Sequence, residues 1–178
     1  MKQLTVAGKA LTVLFAAAFL VACSSKGSRD GDAAAADAAA RAAAERAAAE
    51  RAAAERAGAQ SEEQRRLEEE VARVGNVFYF EFDSSNLTQQ GRQALDVHIS
   101  LLRTNDRSVR LEGHTDERGT REYNMALGER RANTVRDYMV VNGIPSYRIE
   151  TISYGEEQPV AYGSGEANWS QNRRVELK

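Results

Sequence analysis

The sequence predicts a mixed α/β (α+β) domain in which helices cover one sheet, in the order β-α-β-α-β-β. Three observations predict it. Residues 77–82, VFYFEF, alternate with aromatic side chains at every second position, the two-residue period of a strand. Two later segments instead repeat apolar residues every three to four positions, which is helical. Short β-branched runs with Gly, Asn or Pro between them then close the chain.

The first strand, Val77 to Phe82, puts Phe78, Phe80 and Phe82 on one face. Asp83-Ser84-Ser85-Asn86 supplies turn and capping groups, and Leu95, Ile99 and Leu102 then mark a helix from about Thr88 to Thr104. Val109, Leu111 and Gly113 alternate with Arg110 and Glu112 as a second strand. A second helix runs from about Arg121 to Asn142, stopped by Asn142-Gly143 with Pro145 beyond. Ile149 to Tyr154 and Arg174 to Leu177 are two more strands, joined by a long Gly-containing segment around Pro159 to Trp169. Residues 75–178 are enough for one independent core.

The N-terminal segments set the compartment. Residues 1–22 carry Lys2 and Lys9 and then an apolar stretch from Ala10 to Ala22, the layout of a secretory leader. A helix over that stretch is only ~20 Å long, too short for a hydrocarbon core of ~30 Å. The single cysteine, Cys23, follows directly, so an intramolecular disulfide is excluded. Leu20 to Cys23 resembles a bacterial lipobox, which implies cleavage before Cys23 and acylation of its sulfur. Several acyl chains on one residue anchor far better than one. Ser24 in place of Asp implies outer-membrane sorting. Without residues 1–22 the chain has 22 basic against 26 acidic residues, a net charge of −4, which ranks nucleic acid low as a partner.

Residues 23–32 form a short tether and residues 33–74 a spacer. In the spacer, Arg-Ala-Ala-Ala-Glu begins at Arg41, Arg46 and Arg51. Alanine favours helix, and each block places Arg and Glu four residues apart. A five-residue repeat advances about 140° net, so the charges wind round the rod and leave no coiled-coil seam. Such a segment is either a semi-rigid helix of ~63 Å or a polar linker, with Gly58 as its weak point. Leu67, Val71 and Val74 are spaced to dock on the domain that follows.

One charge sits where the second helix is apolar. On a helical wheel Leu127, Ala132, Val135, Tyr138 and Met139 form a stripe, and Arg131 falls inside it with Asn124 beside it. Arg131 therefore has a partner inside the domain or a ligand in a cleft. The nearest loop is Gly113-His114-Thr115-Asp116-Glu117-Arg118-Gly119. An internal Asp116/Arg131 salt bridge, with Asn124 capping a loop carbonyl, is as compatible with the pattern as a binding site.

GHTDERGTREYNMALGERRANTV, with FEFD at Phe80 to Asp83 and QNRRVEL at Gln171 to Leu177, resembles the OmpA-like peptidoglycan-binding domain over residues 75–178. The pentad repeat is not part of that resemblance. The resemblance implies that Asp116 and Arg131 hold the diaminopimelate of a wall stem peptide, that Asn124 and Thr115 add neutral hydrogen bonds, and that Phe82 and Asp83 close the cleft. It also implies a lipid-anchored outer-membrane protein facing the periplasm, partnered with peptidoglycan and with the Tol system, chiefly TolB, in envelope integrity and cell division. No cofactor is called for. An enzyme is the rival class, from His114 and Asp116 as a metal or general-base pair. His98, the other histidine, sits on the flank of the first helix's stripe, and no nucleophile elbow or phosphate loop is present. The other alternative is a module whose chief ligand is a periplasmic protein.

Overall fold

The structure, a computed structural model, describes residues 29–178, with side chains from residue 35 onward. The leader, Cys23 and most of the tether lie outside the described residues. Helix α1 spans Arg29–Val74 without a break at Gly58. The chain divides into two units within this helix, at Ala49/Glu50. The side chains of residues 35–49 are exposed in the first unit, and those of 50–66 are exposed in the second. This is the consequence of a repeat that never returns apolar residues to one face. Among the described residues Leu67 is the first to be buried; Val71 is half-buried and Val74 exposed.

Strand β1 (Val77–Tyr79), helix α2 (Gln89–Arg103), strand β2 (Val109–His114), helix α3 (Arg121–Val141), strand β3 (Ile149–Gly155), helix α4 (Glu166–Asn172) and strand β4 (Arg174–Leu177) follow. The sheet is mixed, in the order β1-β4-β2-β3. β2 and β3 are parallel and connected through α3, whereas β4 lies antiparallel between β1 and β2. Phe78, Phe80, Leu95, Ile99, Leu102, Leu111, Val135, Met139 and Val175 join in one core.

Local chemistry accounts for the helix starts. Thr88 Oγ1 accepts a hydrogen bond from Gly91 N at 3.0 Å to open α2, and Thr120 Oγ1 accepts one from Tyr123 N at 3.2 Å to open α3. Gly143, at φ +95°, ends α3, and Ile144 N returns to Met139 O at 3.0 Å.

Three expectations need correction. β1 stops at Tyr79 rather than Phe82, because Glu81–Ser84 is a turn with Asp83 at φ +53°. Phe82 consequently leaves the buried face of Phe78 and Phe80 and is 57 % exposed. The third is the segment before β4: it contains α4, opened by Gly165 at φ +115°, which periodicity cannot signal in seven residues.

Candidate functional site

Two glycines bring the site's halves together. A Cβ on Gly113 of β2 would overlap the Gly128 carbonyl of α3, so the two backbones meet with no side chain between them. The loop leaving β2 is thereby held over α3, and Thr115, Asp116, Asn124 and Arg131 face one cavity of about 230 Å³. The turn after β1 adds Phe82 and Asp83 to the same cavity. All six residues expected from the sequence are therefore neighbours.

Of the two readings that the pattern left open, the internal Asp116/Arg131 salt bridge is not formed. The Arg131 guanidinium, with 0 % exposure, donates from Nε to Ser84 O at 2.8 Å, from Nη1 to His114 O at 2.9 Å and from Nη2 to Glu81 O at 3.1 Å. These are main-chain carbonyls, so they satisfy hydrogen bonds and leave the cation without a salt-bridge partner. Two of its five N–H donors remain. Burial pulls Arg131 down to about 10, opposed mainly by the charge of Asp116, and it stays protonated at neutral pH.

Asp116 pairs instead with two other arginines. Arg118 donates to it from its main-chain N at 3.1 Å, from Nε at 3.2 Å and from Nη2 at 2.6 Å, and Arg173 Nη1 donates at 3.3 Å. Burial by itself raises the Asp116 carboxyl, but the bonds from Arg118 and Arg173 outweigh it and hold the group below its ordinary value. Asn124 is no cap for a carbonyl either, since its amide donates to the Glu156 carboxylate. Asp83 accepts from the Tyr123 hydroxyl. The Thr115 hydroxyl, buried in the cavity lining, has no partner among the described residues.

Arg118, Gly119, Tyr123, Leu127 and Arg173 complete the lining. Arg173 stood in the quoted QNRRVEL motif, but only α4 and β4 together reveal that it turns inward. It is 3 % exposed, donates to Phe80 O at 3.0 Å and pairs with Glu166 as well as Asp116. Three guanidinium groups and two carboxylates thus line the cavity.

Neither histidine lines the cavity. His98 is buried in the core, its Nε2 2.8 Å from Gly75 O and its ring edge-on to Phe78, and burial lowers its pKa. His114 is stacked on Tyr154 with its ring nitrogens unpartnered. Among the described residues no three His, Cys, Asp or Glu side chains converge as a metal site, and no helix is long and apolar enough to cross a membrane.

A cavity lined by a buried arginine without a salt-bridge partner and by paired charges, on a mixed sheet with helices, has the chemistry to receive a small charged ligand. The chain belongs to the OmpA family, whose model matches residues 79–173. The peptidoglycan-associated lipoprotein of Pseudomonas putida is 57 % identical over 111 residues, covering 62 % of this chain and 67 % of that protein. The Pseudomonas aeruginosa protein of the same name is 56 % identical over 111 residues, covering 62 % and 66 %. The chain thus spans about two thirds of the length of these relatives. The crystal structure of the peptidoglycan-associated lipoprotein from Burkholderia pseudomallei is 42 % identical with a TM-score of 0.57, covering 58 % of this chain and 89 % of that one. The OmpA-like domain of FopA1 from Francisella tularensis is 27 % identical with a TM-score of 0.51, covering 57 % and 68 %.

Proposed function

We propose that the chain is a peptidoglycan-associated lipoprotein that grips the cell wall noncovalently through the diaminopimelate of a stem peptide. The observation that carries this reading is Arg131: a fully buried cation, bonded to carbonyls alone, with donors to spare at the floor of a cavity. A carboxylate is the partner that such a group lacks. Diaminopimelate ends in an ammonium and a carboxylate on one carbon. Its carboxylate meets Arg131, and its ammonium meets the carboxylates of Asp116 and Asp83, which line the same cavity. The Thr115 hydroxyl and Asn124 add neutral bonds, and Phe82 with Asp83 forms the closing edge.

In this reading Cys23 carries the lipid, palmitate included, that fixes the chain in the outer membrane, facing the periplasm. The Tol system, with TolB as first partner, couples that grip to envelope integrity and to constriction at division. The names of the relatives support the wall association, and they denote no reaction.

The test is calorimetry with a diaminopimelate-containing muropeptide against wild type, Arg131→Lys and Asp116→Asn, each first shown to be folded by near-ultraviolet circular dichroism. Binding by wild type and at least about tenfold weaker binding by both variants is expected, a loss equivalent to about 1.4 kcal/mol or more. Folded wild type that binds no muropeptide overturns the reading and turns the search to a periplasmic protein ligand.

A further inference from the structure

Arg118 is held in a way that a surface loop does not require. Its guanidinium carbon lies 3.9 Å from the centre of the Phe82 ring and 4.0 Å from that of Trp169, while Nη2 reaches Asp116 Oδ2 at 2.6 Å. The slot has its own scaffolding. The Trp169 indole N–H donates to Glu117 Oε1 at 3.0 Å, and Asp116 is fixed from behind by buried Arg173. Glu166 stands 4.0 Å from Arg118, adding a second carboxylate at the mouth. Two aromatic faces, a buried carboxylate below and a second acid outside make up a receptor for a cation.

Arg118 and Arg173 differ in how firmly they are kept. The Arg173 side chain is 3 % exposed and is also bonded to a β1-side carbonyl, whereas the Arg118 side chain is 31 % exposed and makes no side-chain bond to any main-chain group. Arg118 can swing into water and leave Asp116 still paired with Arg173.

We infer that the Phe82–Trp169 slot above Asp116 is a cation site that Arg118 itself fills, and that a ligand ammonium takes it by displacing Arg118. The inference rests on the diaminopimelate reading for the identity of that ammonium, but the slot's preference for cations stands on its own geometry. Arg118 then sets a threshold for entry. A ligand with an amine at this position replaces the lost ion pair and both ring contacts, and a ligand that is neutral there does not.

Trp169 is the single tryptophan of the chain, so its fluorescence reports on the slot. Detergent-solubilised full-length protein is titrated with methylguanidinium and with butylammonium at millimolar concentrations, N-methylurea serving as the neutral control. Arg118→Ala and Arg118→Gln are expected to give a saturable response to the two cations at concentrations about tenfold below any wild-type response, and none to the urea. The same variants are expected to bind the diaminopimelate muropeptide roughly three- to tenfold more tightly than wild type. Equal cation responses in wild type and variants, or weaker muropeptide binding by both folded variants, overturn the inference and make Arg118 a brace or a ligand contact. If the variants take the cations but no form binds muropeptide, the slot stands and the wall-peptide reading falls.

Discussion

Arg131 and His114 are both sealed from water, and they answer burial in opposite ways. The arginine keeps its proton: burial pulls it only to about 10, against the opposing charges of Asp116 and Asp83, and three carbonyls satisfy its donors. His114, 2 % exposed beside Tyr154, gives its proton up. Burial first, and then the positive charges of Arg174 and Lys178, bring it from 6.5 to about 4, against the opposing charge of Glu176. The folded state therefore prefers neutral His114, while the unfolded chain takes up a proton as pH falls through 6.5. Stability from this residue is complete above 6.5, declines as pH drops and is lost by about 4, with a ceiling near about 3 kcal/mol. His98, whose pKa burial also lowers, adds a slope of the same sign. Urea unfolding at pH 7 and pH 4 is expected to show wild type losing more stability than His114→Leu by about 2 to 3 kcal/mol. Parallel losses in the two proteins refute it. Periodicity made the inward turn of Arg131 readable, because an arginine in an apolar stripe is a conflict within one helix. Its partners were not readable, since the carbonyls of Glu81 and Ser84 lie 50 and 47 residues away and carry no side-chain signature.

At the scale of elements, the contact between β2 and α3 decides where the site's residues meet. Gly128 sits inside a helix, where Ala is ordinarily the better former by about 1 kcal/mol. Here a methyl group at Gly128 would strike Ser153 Oγ, which is engaged with Met125 O at 2.7 Å, and press on the Gly113 carbonyl. The usual sign therefore reverses. Gly128→Ala is expected to destabilise by about 2 kcal/mol in denaturant unfolding and to weaken muropeptide binding by moving Asp116 relative to Arg131. A more stable Gly128→Ala protein would show that the backbones have room to part. α2 and α3 were legible because fifteen and twenty-one residues give several turns of pattern. The end of β1 was not, since Phe82 continues the alternation of Phe78 and Phe80 while positive φ at Asp83 turns the chain away. Arg173 stayed hidden for a related reason: a seven-residue helix opened by glycine has too few turns to show which way its neighbours point.

For the whole molecule, the proposed function assigns different tasks to different segments, and that division is testable. No described side chain of α1 lines the cavity, and its exposed pentads present no apolar seam for a partner helix. A tether separates affinity from attachment: the cavity fixes how tightly a muropeptide is held, while the anchor and spacer fix whether the cavity is held near the wall. Deleting residues 33–57 is therefore expected to leave calorimetric affinity for the muropeptide within about twofold, equivalent to about 0.4 kcal/mol. The same deletion is expected to reduce cross-linking of the lipidated protein to peptidoglycan in intact cells, because a linker too short to span from membrane to wall drops the effective concentration of the domain there. Cys23→Ser is expected to do the converse, preserving affinity and releasing the protein from the membrane fraction. The two variants together discriminate between tethering and simple binding. If the deletion weakens muropeptide binding in solution as strongly as it weakens cross-linking in cells, the pentad segment is part of the binding module and not its spacer.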